Sequence, residues 1–361
     1  MILSADGRVD QDSCQLVCDG TQPRGRIDGL ALGVAEGRTP SSAWSTLLVV
    51  TAAVLAGAAA TREAPFDPKT AGFAIVFHGE RSAYRDTAAV VMPGEAVIFD
   101  TTGPAGEYRL KTDHGTAVQQ SAHQFRWTAP DRPGSYDLTF HGPGGPERHG
   151  TIVVHAFVMV PASLVKDGLL NGYRIGDYPA TPLKGSPLYL PPRGFIEVTK
   201  DNQDTRVSPH FTLKQFLCKE DTTRSFPKYV VLKERLPLKL EAVLERVNEL
   251  GFKVETLNVM SSYRTPYYNH AIGDVKYSMH QWGSAADIFV DPQKKNRMED
   301  LNRDGQVDIR DAKFLYDEIE RMLSAKENHK FQGGMGYYPA TTAHPPFVHV
   351  DVRGTAARWK G

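Results

Sequence analysis

Short apolar runs broken by turn residues constrain this chain more than any other feature of its sequence. From Gly72 to about Ala162 the runs are brief: Phe73-Ala74-Ile75-Val76-Phe77 is one, and Ala89-Val90-Val91-Met92 leads into the turn Pro93-Gly94. Ala96-Val97-Ile98-Phe99 follows, then Tyr136-Asp137-Leu138-Thr139-Phe140, which alternates cleanly, and Thr151-Ile152-Val153-Val154-His155. Runs this short, with Gly or Pro about every ten residues, suit the strands of a small β-sandwich. Across the chain, Gly 32 and Pro 24 make up about one residue in six, which fits a loop-rich or β-rich protein better than a helix bundle.

The length of 361 residues, at roughly 150 per domain, leaves room for two or three domains. Hydrophobic residues at 41% and aromatics at 9% are enough for real cores and argue against global disorder. Lys+Arg and Asp+Glu both number 42, so the net charge is zero. That argues against nucleic acid as a partner, because a general grip on phosphates needs a basic surface. Cys14, Cys18 and Cys218 are too few and too scattered for a disulfide framework. Cys14 and Cys18 lack a nearby histidine or further cysteine to complete a metal site.

No charged residue lies between Arg38 and Arg62. Inside that gap runs Leu47-Leu48-Val49-Val50-Thr51-Ala52-Ala53-Val54-Leu55, then Ala56-Gly57-Ala58-Ala59-Ala60. An apolar run with Arg38 before it and small residues after it reads as a signal peptide, with Ala58-x-Ala60 as the cleavage site. The alternative is an uncleaved membrane anchor, since 23 uncharged residues are just long enough to span a bilayer. A buried Ala-rich helix ranks third, because both flanks read as unstructured. Residues 1–66 are therefore expected to be a leader with its apolar part at 43–60. The remainder is expected to be exported, periplasmic or in the cell envelope, either free or anchored to the inner membrane.

Residues 67–162 form the expected sandwich. Trp127 and the Pro133-Gly134-Ser135-Tyr136 turn resemble an immunoglobulin-like module, and no catalytic cluster occurs in it. Its expected role is a spacer or a module that binds wall or protein. Residues 163–207, with Asn171-Gly172, Pro179, Pro182, Pro187 and Pro191-Pro192-Arg193-Gly194, read as an irregular connector. A second domain spans 208–361. In it, Leu238, Leu240, Val243, Leu244, Val247 and Leu250 predict a helix over residues 236–250 that ends at Gly251. Residues 253–260 alternate as a strand. No internal repeat is visible.

The most informative stretch is Ser278-Met279-His280-Gln281-Trp282-Gly283-Ser284-Ala285-Ala286-Asp287. A His and an Asp seven apart can both face a cation if the chain turns between them, and Gly283 and Ala285 let backbone pack close. Asp287 opens the apolar strand Ile288-Phe289-Val290, so its carboxylate sits at a buried edge and needs a cation or donors. Further on, Phe347-Val348-His349-Val350-Asp351-Val352 places His349 and Asp351 on one strand face. Two His and one carboxylate make a three-ligand catalytic zinc set, with the fourth position left for water.

These residues also match a family pattern. The run fits Ser-x-His-x-x-Gly-x-Ala-x-Asp at every specified position. Three further segments agree: Ser208-Pro209-His210-Phe211-Thr212-Leu213, then Ser261-Ser262-Tyr263-Arg264-Thr265-Pro266 with Asn269, and Gly333-Gly334-Met335-Gly336-Tyr337-Tyr338 ahead of the His349 strand. Over about residues 208–360 the chain resembles the zinc D-Ala-D-Ala carboxypeptidases and their hedgehog-like relatives. The resemblance implies an α+β hedgehog-type catalytic domain, with zinc held by His280, Asp287 and His349. It also implies peptidoglycan peptides as partners, with Arg264, Ser278 and Asn269 contacting the substrate. Arg264 is the expected grip on a peptide carboxylate, since guanidinium and carboxylate pair in a bidentate fork.

Many members of that family carry an acidic general base three residues before the last His. Here that position is Pro346. His344, five residues before His349, and Asp351, two after it, are the substitutes. The intrinsic pKa of His344 suits the work. Asp351 can equally be a partner that orients a ligand histidine.

A second ion site is expected at residues 300–311. Asp300-Leu301-Asn302-Arg303-Asp304-Gly305-Gln306-Val307-Asp308-Ile309-Arg310-Asp311 has oxygen side chains at loop positions 1, 3, 5, 9 and 12, Gly at 6 and an apolar residue at 8. This is the EF-hand calcium pattern with Asp in place of the final Glu. It predicts calcium among Asp300, Asn302, Asp304, Gln306, Asp308 and Asp311. The Asp-ending loop resembles dockerin repeats, but one copy does not support cohesin docking. An amphipathic helix follows, with Phe314, Leu315, Ile319, Met322 and Leu323 on its apolar side.

Together these features predict an exported zinc peptidase that hydrolyses D-amino-acid-containing stem or cross-link peptides, as a carboxypeptidase or an endopeptidase. The competing reading is a catalytically weak, zinc-containing cell-wall binding protein. No feature of the sequence speaks to the oligomeric state.

Overall fold

The short runs of the N-terminal part become strands in two facing sheets. The structure is a computed structural model, and it describes residues 65–143, 150–220 and 226–361. The expected leader, with its signal peptide or anchor, lies outside the described residues, as do Cys14 and Cys18. No helix among the described residues is long and apolar enough to cross a membrane.

Nine strands are described here: β1 (Thr70–Phe77), β2 (Glu80–Tyr84), β3 (Asp86–Val91), β4 (Ala96–Thr102), β5 (Arg109–Lys111), β6 (Thr116–Gln119), β7 (Gln124–Thr128), β8 (Gly134–His141) and β9 (Thr151–Val158). One sheet has the order β2-β1-β4-β7-β6, the other β3-β9-β8-β5. All pairs are antiparallel except β3 with β9. Alternate residues of both sheets meet in one core: Phe73, Ile75, Phe99 and Trp127 from the first, Leu138, Phe140 and Val154 from the second. That is the period-two pattern of strands with one face buried.

The connector is stitched to its neighbours. Val160–Pro161, Gly194–Val198 and Lys228–Val230 form a three-stranded sheet. Ala88, Phe157 and Met159 bury against residues of the C-terminal part, in the same core as Phe195, Leu236 and Val350.

The C-terminal part is α+β. Helix α1 (Arg235–Glu249) buries Leu236, Leu240, Val243, Leu244 and Val247, a stripe at helical spacing, and the chain leaves it through Gly251 at φ 90°. The five-stranded sheet comprises β10 (Asn258–Ser261), β11 (Ala285–Phe289), β12 (Gly334–Tyr338), β13 (Phe347–Asp351) and β14 (Ala357–Lys360). Its order is β10-β11-β13-β12-β14, antiparallel except for β12 with β14. Between β10 and β11 lies the short α2 (Pro266–Ala271). Helix α3 (Ile309–Ser324) covers the sheet with Leu315, Ile319 and Leu323 buried and Phe314 and Met322 partly so.

Two local expectations change. The strand expected over 253–260 forms only at its end, as β10. Lys253 is left-handed at φ 45° and Val254 and Leu257 are buried without ladder partners, so the apolar alternation there serves the core and not a sheet. Asp287 does not open its strand. It lies in the middle of β11, paired on one side with Ser261 and on the other with His349.

Candidate metal centre

Strand register brings two of the expected ligands together. Asp287 of β11 and His349 of β13 are direct cross-strand partners, so their side chains share a face. His280 arrives from the 3-10 turn Met279–Trp282, which ends at Gly283 with φ 61°. A Cβ at Gly283 would lie 2.0 Å from the Val231 carbonyl oxygen, so only glycine lets the chain reverse there and return as β11.

His280, Asp287 and His349 are 2%, 3% and 7% exposed. His280 Nε2 lies 3.2 Å from Asp287 Oδ1 and 3.1 Å from His349 Nδ1, and His349 Nδ1 lies 2.9 Å from Asp287 Oδ1. Their surroundings fix which atoms are free. His280 Nδ1–H donates to the Ser262 carbonyl at 2.6 Å, so Nε2 carries the lone pair. The far nitrogen of His349, Nε2, faces Asp351 Oδ2 at 3.6 Å and has no hydrogen-bond partner among the described residues, while Nδ1 faces the other two residues. Two imidazole nitrogens and a carboxylate oxygen thus converge, a donor set that fits a divalent cation. Four-coordinate zinc with bonds of about 2.0–2.2 Å keeps neighbouring ligand atoms about 3.4 Å apart, close to the spacing found. Among the described residues this is the one such set of metal-type ligands.

Burial pushes the His280 imidazole below its usual range, which keeps it neutral and able to ligate. Burial opposes the Asp287 charge, but His280, His349 and Arg264 outweigh it and hold the carboxyl well below the usual carboxylate range. Arg264 Nη2 bonds Asp287 Oδ2, leaving Oδ1 to the other ligands.

The triad lies in a cleft of about 640 Å³ whose walls also hold Arg264, Ser278, Asp274, Tyr338 and Trp359. Ser278 lines the cleft. Asn269 does not: it is 2% exposed and its Nδ2 donates to the Val275 carbonyl at 3.0 Å, so it holds the loop after α2. Arg264 lines the cleft but is committed to protein acceptors. Its Nε bonds Ser261 Oγ at 2.9 Å, Nη1 bonds Asp274 Oδ2 at 2.6 Å and Nη2 bonds Asp287.

The two proposed bases fare differently. Asp351 is fully buried behind His349, with Oδ1 accepting from Gly334 N at 2.7 Å and Oδ2 held by Arg353. Burial opposes its charge, but His349 and Arg353 keep its pKa well below the usual carboxylate range, and it does not line the cleft. Asp351 thus stands behind His349 and not in the cleft. His344 is half-buried and packs edge-on against Phe347, a cleft residue, at 4.9 Å between centroids. Its Nδ1–H donates to the Pro345 carbonyl at 2.9 Å, which leaves Nε2 as the acceptor.

The calcium expectation is not supported. Asp308 caps α3 and pairs with Arg310, which also reaches Asp304 at 2.7 Å. Asp311 turns inward to the backbone N–H groups of Leu301, Asn302 and Asp308. Asp300 accepts from Asp304 N and Gly305 N, Asn302 from Asp304 N, and the backbone N–H of Gln306 donates to Asp304. No three of these carboxylates bring their oxygens together as a ligand set.

Several cleft residues went unremarked in the sequence. Tyr338 pairs with Phe347 across β12 and β13 and stacks on it at 4.5 Å, and Trp359 Nε1 donates to the Tyr338 hydroxyl at 2.6 Å. A Cβ at Gly336 would meet the Trp359 indole at 2.1 Å, so this glycine admits the ring. Arg353 continues the alternation of His349 and Asp351, a legible signal. Tyr189 and Leu183 come from the connector, where nothing in the sequence points to a site.

No curated protein and no solved structure matches the chain. Residues 209–315 match the family model described as Peptidase M15, a stretch that contains Arg264, His280 and Asp287 and ends before His349. Over residues 209–315 the C-terminal part is thus similar to the Peptidase M15 family, as its motifs implied.

Proposed function

We propose that the protein is an exported zinc peptidase that hydrolyses D-amino-acid-containing stem or cross-link peptides of peptidoglycan. The observation that carries this reading is the convergence of His280 Nε2, Asp287 Oδ1 and His349 Nδ1 in a cleft, inside a chain that matches the M15 family. Those three residues would hold the zinc. When bound, zinc lowers the pKa of a water towards ~7 and polarises a carbonyl. The chain's own residues then act around it. The Ser262 carbonyl fixes the His280 tautomer, Asp351 stands behind His349 as the carboxylate that would orient it, and Arg264 holds the second oxygen of Asp287. His344, with Nε2 free to accept a proton, is the proposed base, which passes the proton to the leaving amine.

In the same reading the N-terminal sandwich, with Trp127 in its core and its parallel β3–β9 pair, is immunoglobulin-like, and the catalytic fold is hedgehog-type. The leader would carry the chain out of the cytoplasm or hold it at the membrane. A second reading, a wall-binding protein with weak catalysis, is favoured by one observation: His344 lies beside the cleft lining and not in it.

Mass spectrometry of purified muropeptides incubated with the zinc-loaded protein, with and without chelator, tests the proposal. The expected result is chelator-sensitive loss of terminal D-Ala or of cross-linked dimers. Muropeptides bound but left intact would establish the second reading.

A further inference from the structure

We propose that Arg353, not Arg264, is the cation that recognises a substrate carboxylate. This rests on the reading of the cleft as a peptide-binding site. Three nitrogens of Arg264 are each tied to a protein acceptor, and two of those acceptors are carboxylates. A substrate carboxylate arriving there would have to compete with Asp274 and Asp287. Arg353 also lines the cleft, but it is differently held. Its Nε and Nη2 both bond one oxygen, Asp351 Oδ2, and Nη1 has no partner among the described residues.

The one carboxylate that Arg353 faces is fully buried and anchored by the Gly334 and Arg353 backbone N–H groups. Asp351 therefore fixes the guanidinium plane from behind without reaching the cleft. A Cβ at Gly334 would come within 2.9 Å of Arg353 Nη2, so glycine leaves the space the guanidinium occupies. Tyr189 of the connector and Trp359 of β14 line the same cleft, and Arg353 stands 6.0 Å from the Trp359 ring centroid. A guanidinium held in one plane with a free N–H edge is pre-organised for a planar anion.

Distance and charge both fit. Arg353 is one carboxylate away from His349, since Asp351 Oδ2 lies 3.6 Å from His349 Nε2 and 2.7 Å from Arg353 Nε. With the width of the His349 ring and a metal bond added, at most about three residues of extended chain reach from Arg353 to an ion at the triad. In and behind the cleft, Arg264, Lys276 and Arg353 offset Asp274, Asp287 and Asp351, so a divalent cation at the triad leaves the region positive. Such a site favours a peptide that presents a carboxylate close to the bond held at the triad.

The test is binding of three peptides to the zinc-loaded full chain by calorimetry: acetyl-D-Glu-L-Lys-D-Ala-D-Ala as the free acid, as the terminal amide, and with D-Gln in place of D-Glu. One neutralised peptide is expected to bind roughly tenfold more weakly, the worth of a charge-assisted hydrogen bond, and the peptide that suffers identifies the carboxylate as terminal or side-chain. Arg353→Gln is expected to erase that discrimination with zinc content unchanged. Should this variant fail to fold, Arg353→Lys decides, since it retains a charge for Asp351 but loses the fork. Its discrimination is expected to fall several-fold. Wild-type protein indifferent to all three peptides, or full discrimination retained in the folded variant, overturns the proposal. Hydrolysis is followed in parallel. Discrimination without hydrolysis sinks the peptidase reading alone, and hydrolysis without discrimination sinks this subsite alone.

Discussion

Replacing Asp351 by Asn separates the two roles that its position allows. The carboxylate Oδ2 lies 3.6 Å from His349 Nε2 and is bonded by Arg353, while Oδ1 accepts from Gly334 N at 2.7 Å. Asparagine keeps the shape and one acceptor. If its oxygen stays with Gly334, its NH₂ must face both the Nε2–H of His349 and the Arg353 guanidinium, donor against donor. His349 then favours the other tautomer, with the proton on Nδ1, where the lone pair is needed for the ion. Losing a partner that orients a ligand histidine typically costs 10–100-fold in metal affinity, about 1.4–2.7 kcal/mol. Competition for zinc against a chromophoric chelator measures this directly, with circular dichroism to confirm the fold. We expect Asp351→Asn to bind zinc about 10–100-fold more weakly, and turnover to recover at saturating zinc. Zinc affinity within twofold of wild type, together with lost turnover, would refute the orienting role and return Asp351 to acid–base work.

Three further outcomes follow from the geometry. His280→Ala and Asp287→Ala should each leave purified protein with little zinc by metal analysis, because each removes one of three converging ligand atoms. His344→Ala should keep its zinc but lose about 10²–10⁴-fold in kcat on muropeptides, the usual contribution of a general base, and unchanged turnover would point to another group on the cleft. Stability should depend on pH through His155. Burial opposes its charge, but Asp137 at 2.7 Å and Asp86 at 3.2 Å raise its pKa from 6.5 to about 9. The charged pair stabilises the fold fully below pH 6.5, and that contribution, at most about 3 kcal/mol, is lost as pH rises through 9. Thermal melts from pH 6 to 10 should show this loss in wild type and a flatter profile in His155→Gln.

The sequence by itself picked out the three residues that converge in the cleft and the strand character of the N-terminal part. His280 and Asp287 sit in a gapped run short enough for local chemistry to specify, with Gly283 at the reversal, and His349 alternates with Asp351 on one strand. Periodicity likewise marked α1 and α3, since each buries a stripe. What the sequence left open was set by contacts between distant segments. The burial of Asp351 behind His349 depended on the pairing of β12 with β13, which puts Gly334 N on its carboxylate. Arg264 looked free for a substrate until the loop after α2 delivered Asp274 to it. The connector's Tyr189 reached the cleft only through packing against Trp282 and Tyr277. Each of these turns on which neighbour satisfies a buried polar or charged group. Such partners lie ten or more residues away, beyond the reach of a local pattern, so only the tertiary structure can supply them.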